Sequence, residues 1–351
     1  MPRRRALPTL LGMEIRSVDV HDDTEFHAFH EIVEAASRHE RPLATLWSEQ
    51  EAAVMFRQHD GVMSWEAHGV FEDGVMVGAA HALFPLHDNL DKVYFEVHVA
   101  PGDRGRGYGS ALVGHVVDRA RDRDRTVLVG ESHFPADAGA SHPHRRFAAK
   151  HGFDLANTEM HRVLELPVDD ALLRKWAEEA AAHHEGYTVT THVGGPPEAL
   201  LPSYVHLLNQ LALDAPTGDI DFEEEALTVA AYRTRLERTR AQGRTLYVTV
   251  ATVGEGDAAE AVAHSVLVVP AAGVDEPNVY QWATLVRRDH RGHHLGMATK
   301  THNLRAVQRA HPDRRRVHTS NSEVNGPMVA INERIGFRPV EVNAEFLRRI
   351  G

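Results

Sequence analysis

Along this chain the spacing of apolar residues switches between the two-residue period of a strand and the three-to-four-residue period of an amphipathic helix. Residues 13–20 read as a strand and 22–38 as a helix that opens on the capping residue Asp22. Residues 63–71 and 75–84 alternate on either side of Glu72-Asp73-Gly74, which is a hairpin signal. Strands over 92–100, 126–132 and 157–166 then interleave with helices over 107–121 and 141–151. Residues 168–184 read as a helix with one polar face, and Gly186 ends it. The same order then returns. A strand at 187–192 is followed by helical segments through 213 and over 223–242, hairpin strands at 244–253 and 261–269, and a strand at 279–286. A helix at 295–310, a strand at 316–320, a helix at 326–335 and a strand at 337–347 complete it. Antiparallel hairpins that precede a strand-loop-helix-strand crossover predict an α/β fold, a mixed and mostly antiparallel sheet flanked by helices.

The return can be followed residue by residue. Residues 97–112 read VHVAPGDRGRGYGSAL, and residues 284–299, 187 positions later, read TLVRRDHRGHHLGMAT without a gap. Gly152-Phe153 is answered by Gly336-Phe337. Two copies of one domain account for 351 residues, more than the ~100–200 typical of one domain. The expected organisation is a disordered leader over 1–12, an N-terminal domain over 13–167, a helical connector over 168–186 and a C-terminal domain over 187–351.

Composition narrows the chemistry. The formal charge of −12 argues against a nucleic-acid partner, which needs a basic face to displace counterions, and suits a cationic or amine-bearing small molecule. The absence of cysteine removes disulfides, thiolate metal sites and a cysteine nucleophile, and points to a reducing cytoplasm. No stretch reaches the ~20 apolar residues of a membrane span, so no membrane partner is expected. The chain is read as a monomer or homodimer.

The strongest local motif is Arg104-Gly105-Arg106-Gly107-Tyr108-Gly109, set between a strand and a helix with the apolar face Ala111, Leu112, Val116 and Val117. Backbone N–H groups at such a turn, with the positive end of a helix, make an anion site, and a plain structural turn reads the same way. The surroundings favour the anion site. Val97-His98-Val99-Ala100-Pro101 followed by Arg104, Gly107 and Gly109 resembles the signature of the GNAT acyltransferase superfamily, and Gly152-Phe153 and Gly336-Phe337 resemble its closing helix. The tandem arrangement is similar to that of mycothiol synthase.

That resemblance implies a fold of two tandem GNAT-like domains and transfer of acetyl from acetyl-CoA to a primary amine of a small molecule by direct attack. It places the CoA pyrophosphate on the N–H groups of Arg104, Gly105, Arg106, Gly107, Tyr108, Gly109 and Ser110. The pantetheine arm would lie along Val97 and Val99, and a backbone N–H near Val99 would polarise the thioester carbonyl. In the second copy the same positions are Leu285, Val286, Arg291, Gly292, His293, His294, Leu295, Gly296 and Met297, with Asn325 beside the pantetheine arm. His294 stands where the first glycine belongs, and its Cβ is expected to crowd the loop. The tyrosine that many relatives use as general acid is replaced by Ala148 and Asn332. A CoA-binding or regulatory protein without strong catalysis is the alternative, as is a mycothiol-synthase-like acetyltransferase.

Tyr94, Glu96 and His98 alternate with Phe95, Val97 and Val99 on a strand that helices should cover on both faces. They are candidate catalytic residues, Glu96 or His98 as general base, with a buried hydrogen-bonded network as the other reading. The matching strand of the second copy offers no strong base. The acidic run around Asp219 and Asp221 reads as a solvated loop or as a binding site for a cationic amine. His142, His144, His290, His293 and His294 lack a metal-ligand spacing, so no metal is expected.

Overall fold

The computed structural model describes residues 12–214, 218–223, 227–275 and 277–351, so the leader expected over 1–12 lies outside the described residues apart from Gly12. The chain forms two compact units. Unit 1 comprises Met1–Ser132, Gly139–Leu155 and Glu345–Gly351, and unit 2 comprises His133–Ala138 and Ala156–Ala344.

In unit 1 the strands β1 (Met13–Ser17), β2 (Met63–Glu72), β3 (Val75–Pro85), β4 (Lys92–Val99) and β5 (Val127–Pro135) lie side by side in chain order. Neighbours are antiparallel except β4 and β5, which are parallel. The crossover between them is α3 (Tyr108–Asp122), which packs on β3 and β4 through Leu112, Val113, Val116 and Val117. The opposite face is covered by α1 (Asp23–Arg38) and α2 (Glu49–Arg57). Phe26, Phe29 and Phe56 form its core together with Ala67 and Ala79, and the rings of Phe56 and Trp65 meet edge to face at 5.4 Å. A short helix α4 (Pro143–Lys150) closes the unit.

The helix α2 is absent from the pattern analysis, although Ser48 and Glu51 form a complete capping box at its start. Its hydrophobic stripe, Met55 and Phe56, occupies little more than one turn. That is too short for periodicity to register.

Unit 2 holds β6 (Asp154–Glu165), β7 (Tyr187–Val193), β8 (Thr245–Val253), β9 (Glu260–Val269), β10 (Asn278–Val286), β11 (Arg316–Asn321) and β12 (Arg338–Arg349), in the order β12-β6-β11-β10-β9-β8-β7. Its helices are α5 (Asp170–Ala181), α6 (Leu201–Asp214), α7 (Val229–Ala241), α8 (Leu295–Ala310) and α9 (Gly326–Ile335). The segment read as a connector over 168–186 is therefore part of a core: Leu173 and Ala180 of α5 are buried in the cluster of Leu304, Val307 and Phe337.

The compact units depart from the linear division at 167. The strand that ends the first copy, β6, runs antiparallel to β11 from the pair Glu165 and Arg316 to the pair Met160 and Asn321. The C-terminal residues of the second copy are counted with unit 1, where the Ile350 N–H donates to the Thr126 carbonyl at 2.8 Å. A strand belongs to the ladder that satisfies its main chain, whichever copy it follows in sequence.

Unit 2 buries two histidines in neutral form. His264 accepts or shares a proton with the Tyr204 hydroxyl at 2.8 Å, and burial pushes it down to about 4. His318 Nε2 donates to Asn278 Oδ1 at 2.8 Å, which leaves Nδ1 to accept from His161 Nε2 at 3.0 Å. Burial, then the neighbouring His161 and Arg316, push His318 down to about 3. Both groups bind a proton more readily unfolded, near pH 6.5, than folded. Stability is therefore expected to fall as pH drops below 6.5, by up to about 1.4 kcal/mol per pH unit for each histidine. Thermal unfolding of wild type and His264→Gln between pH 7 and 4.5 checks this; the variant should lose part of the acid dependence.

Candidate functional site

The site begins with an unequal pair of edges on β4. On the β3 side the ladder runs from Gly78 opposite Val99 to Leu83 opposite Tyr94. On the β5 side the register stops at Phe95 opposite Gly130, although β4 runs on to Val99. Residues 96–99 thus extend past the β5 register, along an edge that an extended ligand could approach. Alternation puts Val97 and Val99 on the α3 face. Tyr94, Glu96 and His98 lie on the α1 and α2 face, next to Leu83, His81 and Ala79.

Beyond β4 a 3₁₀ turn, Pro101–Asp103, leads into the loop. Gly105 and Gly107 have φ of +82° and +96°, values that suit glycine, and Gly107 caps α3 without any side-chain hydrogen bond to the first N–H groups. Those donors and the helix dipole form the anion-binding end. Gly109 serves packing: a Cβ there would stand 3.3 Å from Phe147 Cζ of α4.

The loop arginines are turned to structural duty. Arg104 Nε donates to the Val99 carbonyl and Nη2 to the Ala36 carbonyl, both at 3.2 Å, so the residue ties the end of β4 to α1. Arg106 pairs with Glu72 and, at 3.1 Å, with Asp103. Two neighbours that sequence reasoning missed come from the end of α4: His151 Nε2 lies 3.0 Å and Lys150 Nζ 3.5 Å from Ser110 Oγ. Burial, then Lys150 and Arg348, lower the proton affinity of His151. The only signal for either was position next to Gly152-Phe153.

Glu96 lies between two imidazoles, with Oε1 3.5 Å from His81 Nε2 and Oε2 3.5 Å from His98 Nε2. Sequence alternation finds Tyr94, Glu96 and His98. It does not find His81, which arrives through hairpin register.

The second copy repeats the frame and changes its contents. The β10 and β11 ladder stops at Tyr280 opposite His318, and β10 continues past it to Val286. Arg291 Nε donates to the Val286 carbonyl at 3.3 Å, the counterpart of Arg104 and Val99. His294 adopts φ +54° and ψ +19°, the left-handed cap that Gly107 supplies in the first copy. The expected crowding is avoided because its ring turns outward and stacks on His183, 3.9 Å between centroids. His293 Nδ1 meets the His183 carbonyl at 3.1 Å. Burial, then His183 and Arg334, lower the proton affinity of His294. Leu295, Gly296 and Met297 are buried, whereas Gly109 and Ser110 remain half-buried.

At the registers of His81, Glu96 and His98 the second copy has Val266, Ala283 and Leu285. Val266 and Leu285 belong to an apolar core. Asn325 caps α9, accepting from the Met328 N–H at 3.4 Å. Asn332 is buried, accepting from Lys300 Nζ at 2.9 Å and donating to Asn321 at 3.0 Å, and burial pushes Lys300 down to about 7. Asp219 and Asp221 are exposed in unit 2, and the Asp219 N–H donates to the Ala156 carbonyl at 3.0 Å. The histidine-flanked carboxylate belongs to unit 1. Among the described residues no group of three or more His, Cys, Asp or Glu side chains could hold a metal, and no helix is long and apolar enough to cross a membrane.

Residues 26–153 match the model of the acetyltransferase (GNAT) family. A tandem GNAT protein from the clavulanic acid biosynthesis pathway, solved without AcCoA, is 25% identical, with a TM-score of 0.77 over 97% of this chain and 99% of its own. A GCN5-related N-acetyltransferase from Sphaerobacter thermophilus is 17% identical, with a TM-score of 0.62 over 99% of this chain and 98% of its own. No curated protein matches the chain in sequence.

Arg104→Ala removes both carbonyl ties and is expected to cost about 1 kcal/mol of stability. Gly107→Ala, forced into the left-handed region, is expected to cost about 1–2 kcal/mol. Urea unfolding monitored by circular dichroism reads both, and an unmoved midpoint for Arg104→Ala would show that the guanidinium does not hold the loop.

Proposed function

We propose, from the premise that this chain is a tandem GNAT protein and hence an acyltransferase, that unit 1 carries acetyl from acetyl-CoA to a primary amine of a small molecule. The observation that carries this reading is a carboxylate flanked by two histidines, found in one copy only, on the strand that leads into an exposed glycine loop. The residues suit such a donor. The left-handed Gly105 and Gly107 leave the N–H groups from Arg104 through Ser110 open to a pyrophosphate, with Lys150 adding positive charge nearby.

A pantetheine arm would lie along the main chain of Val97 and Val99, where β4 runs past the β5 register. The donor would supply an acyl group activated as a thioester. A backbone N–H near Val99 would polarise its carbonyl, and Glu96 would take the proton from the acceptor's ammonium, with His98 and Tyr94 shaping the same wall. The amine then attacks directly, so no cysteine is required. With Ala148 at the position of the usual tyrosine, solvent protonates the departing thiolate.

The second copy would bind CoA less readily through Leu285, Val286, Arg291, Gly292, His293, His294, Leu295, Gly296 and Met297, with Asn325 at the edge. Asp219 and Asp221 would draw a cationic acceptor in keeping with the net charge of −12. The protein would act in the cytoplasm as a monomer or homodimer. The second reading, a CoA-binding regulator, is favoured by one observation: Ala148 and Asn332 leave neither copy a tyrosine acid.

Release of free thiol from acetyl-CoA in the presence of glucosamine, spermidine or tyramine separates the two. Glu96→Gln is expected to lower kcat by roughly 10²- to 10⁴-fold while leaving CoA affinity intact. Gly107→Val should weaken CoA binding. Tight CoA binding with no turnover across a broad amine panel would support the regulatory reading.

A further inference from the structure

Register across the first hairpin sets His81 of β3 directly opposite Glu96 of β4, with His98 two residues along the same face. Each oxygen of the Glu96 carboxylate has its own imidazole nitrogen at 3.5 Å, His81 at Oε1 and His98 at Oε2. The two rings are stacked, with centroids 5.7 Å apart, and the Trp65 ring lies 6.2 Å from His81. Side-chain exposure is 30% for Glu96, 17% for His81 and 8% for His98, so the carboxylate is the member that reaches solvent. Separations of 3.5 Å exceed a hydrogen bond, as catalytic contacts often do before the acceptor binds.

Glu131 of β5 follows Gly130, the residue opposite Phe95, and titratable groups of the two covering helices have partners of their own. On α1, Glu25 pairs with Arg16, His30 with the Trp47 carbonyl and Glu34 with Arg38; on α2, Glu49 pairs with His27 and Glu51 caps with Ser48. Tyr94 shares the face. In the second copy the pair that corresponds to His81 and Glu96 is Val266 and Ala283, so imidazole and carboxylate are present together or absent together.

We infer that His81 is a positioning residue for proton transfer at Glu96: with His98 it fixes both carboxylate oxygens, so that the solvent-facing side of the group is held ready for the acceptor's ammonium. This rests on the reading of Glu96 as base. In the step, an N–H bond of the ammonium breaks and an O–H bond forms on Glu96. The amine keeps the electron pair for attack, and the proton then passes to water. His81 gains and loses no net proton. It acts as an N–H donor that favours the charged carboxylate.

Two measurements test this. The first needs no acceptor: imidazole ¹⁵N spectra of the free protein. Glu96→Gln is expected to shift the signals of His81 and His98 and to leave in place those of His68 and His115, which meet at 3.1 Å on the opposite face. Unmoved His81 signals overturn the inference, whether or not any amine reacts. The second uses acetyl-CoA with glucosamine, spermidine or tyramine. His81→Phe is expected to lower kcat roughly 10- to 100-fold, to leave the KM for acetyl-CoA unchanged and to move the acid limb of the pH–rate profile to higher pH. His81→Gln, which keeps a donor, should return the limb. A His81→Phe profile with the limb unmoved, and a rate reduced only in proportion to folded protein, overturns the inference. If Glu96→Gln keeps the wild-type rate, the reading of Glu96 as base fails instead, independently of His81.

Discussion

The unit depends on a strand whose two ladders are offset along its length. β4 pairs with β5 from Lys92 to Phe95 and with β3 from Tyr94 to Val99, so its last residues are held by the hairpin side. The loop that follows, the cap at Gly107 and the helix α3 all start from where that strand ends. Arg104 holds that end in place by bonding to the last carbonyl of β4. Arg291 does the same for β10, so the frame survives in both copies even where its contents differ.

The contents diverge in a consistent direction. In the second copy the left-handed cap is a histidine, Gly296 and Met297 are buried where Gly109 and Ser110 are half-buried, and the positions of His81, Glu96 and His98 hold Val266 on β9 and Ala283 and Leu285 on β10. Each unit has a core of its own to bury, and a face that carries apolar side chains stabilises its unit by ordinary burial.

Much of this was legible in the sequence because it is local. The glycine loop, its repeat at 187 positions, the alternation of Tyr94, Glu96 and His98, and the order of strands and helices all express periods of two or about four residues. What escaped is set by pairing at a distance. His81 meets Glu96 through hairpin register, and Lys150 and His151 reach Ser110 because α4 docks beside α3. The motif assigns the backbone N–H of Arg104 to a phosphate and says nothing of its guanidinium, which bonds the Val99 and Ala36 carbonyls. The partner of β6 could not be read at all, since an antiparallel neighbour leaves no mark on the strand's own alternation.

That last strand has a consequence for how such a protein can change over time. Once β6 is committed to the sheet of unit 2 and the chain's final residues to unit 1, neither half is a contiguous stretch of sequence. A gene cut at the copy boundary would yield one product without Glu345–Gly351 and another without β6, each missing residues that its compact unit uses. The boundary of the repeat and the boundary of the fold have come apart, so a half of this chain that stands by itself cannot be taken as one uninterrupted segment.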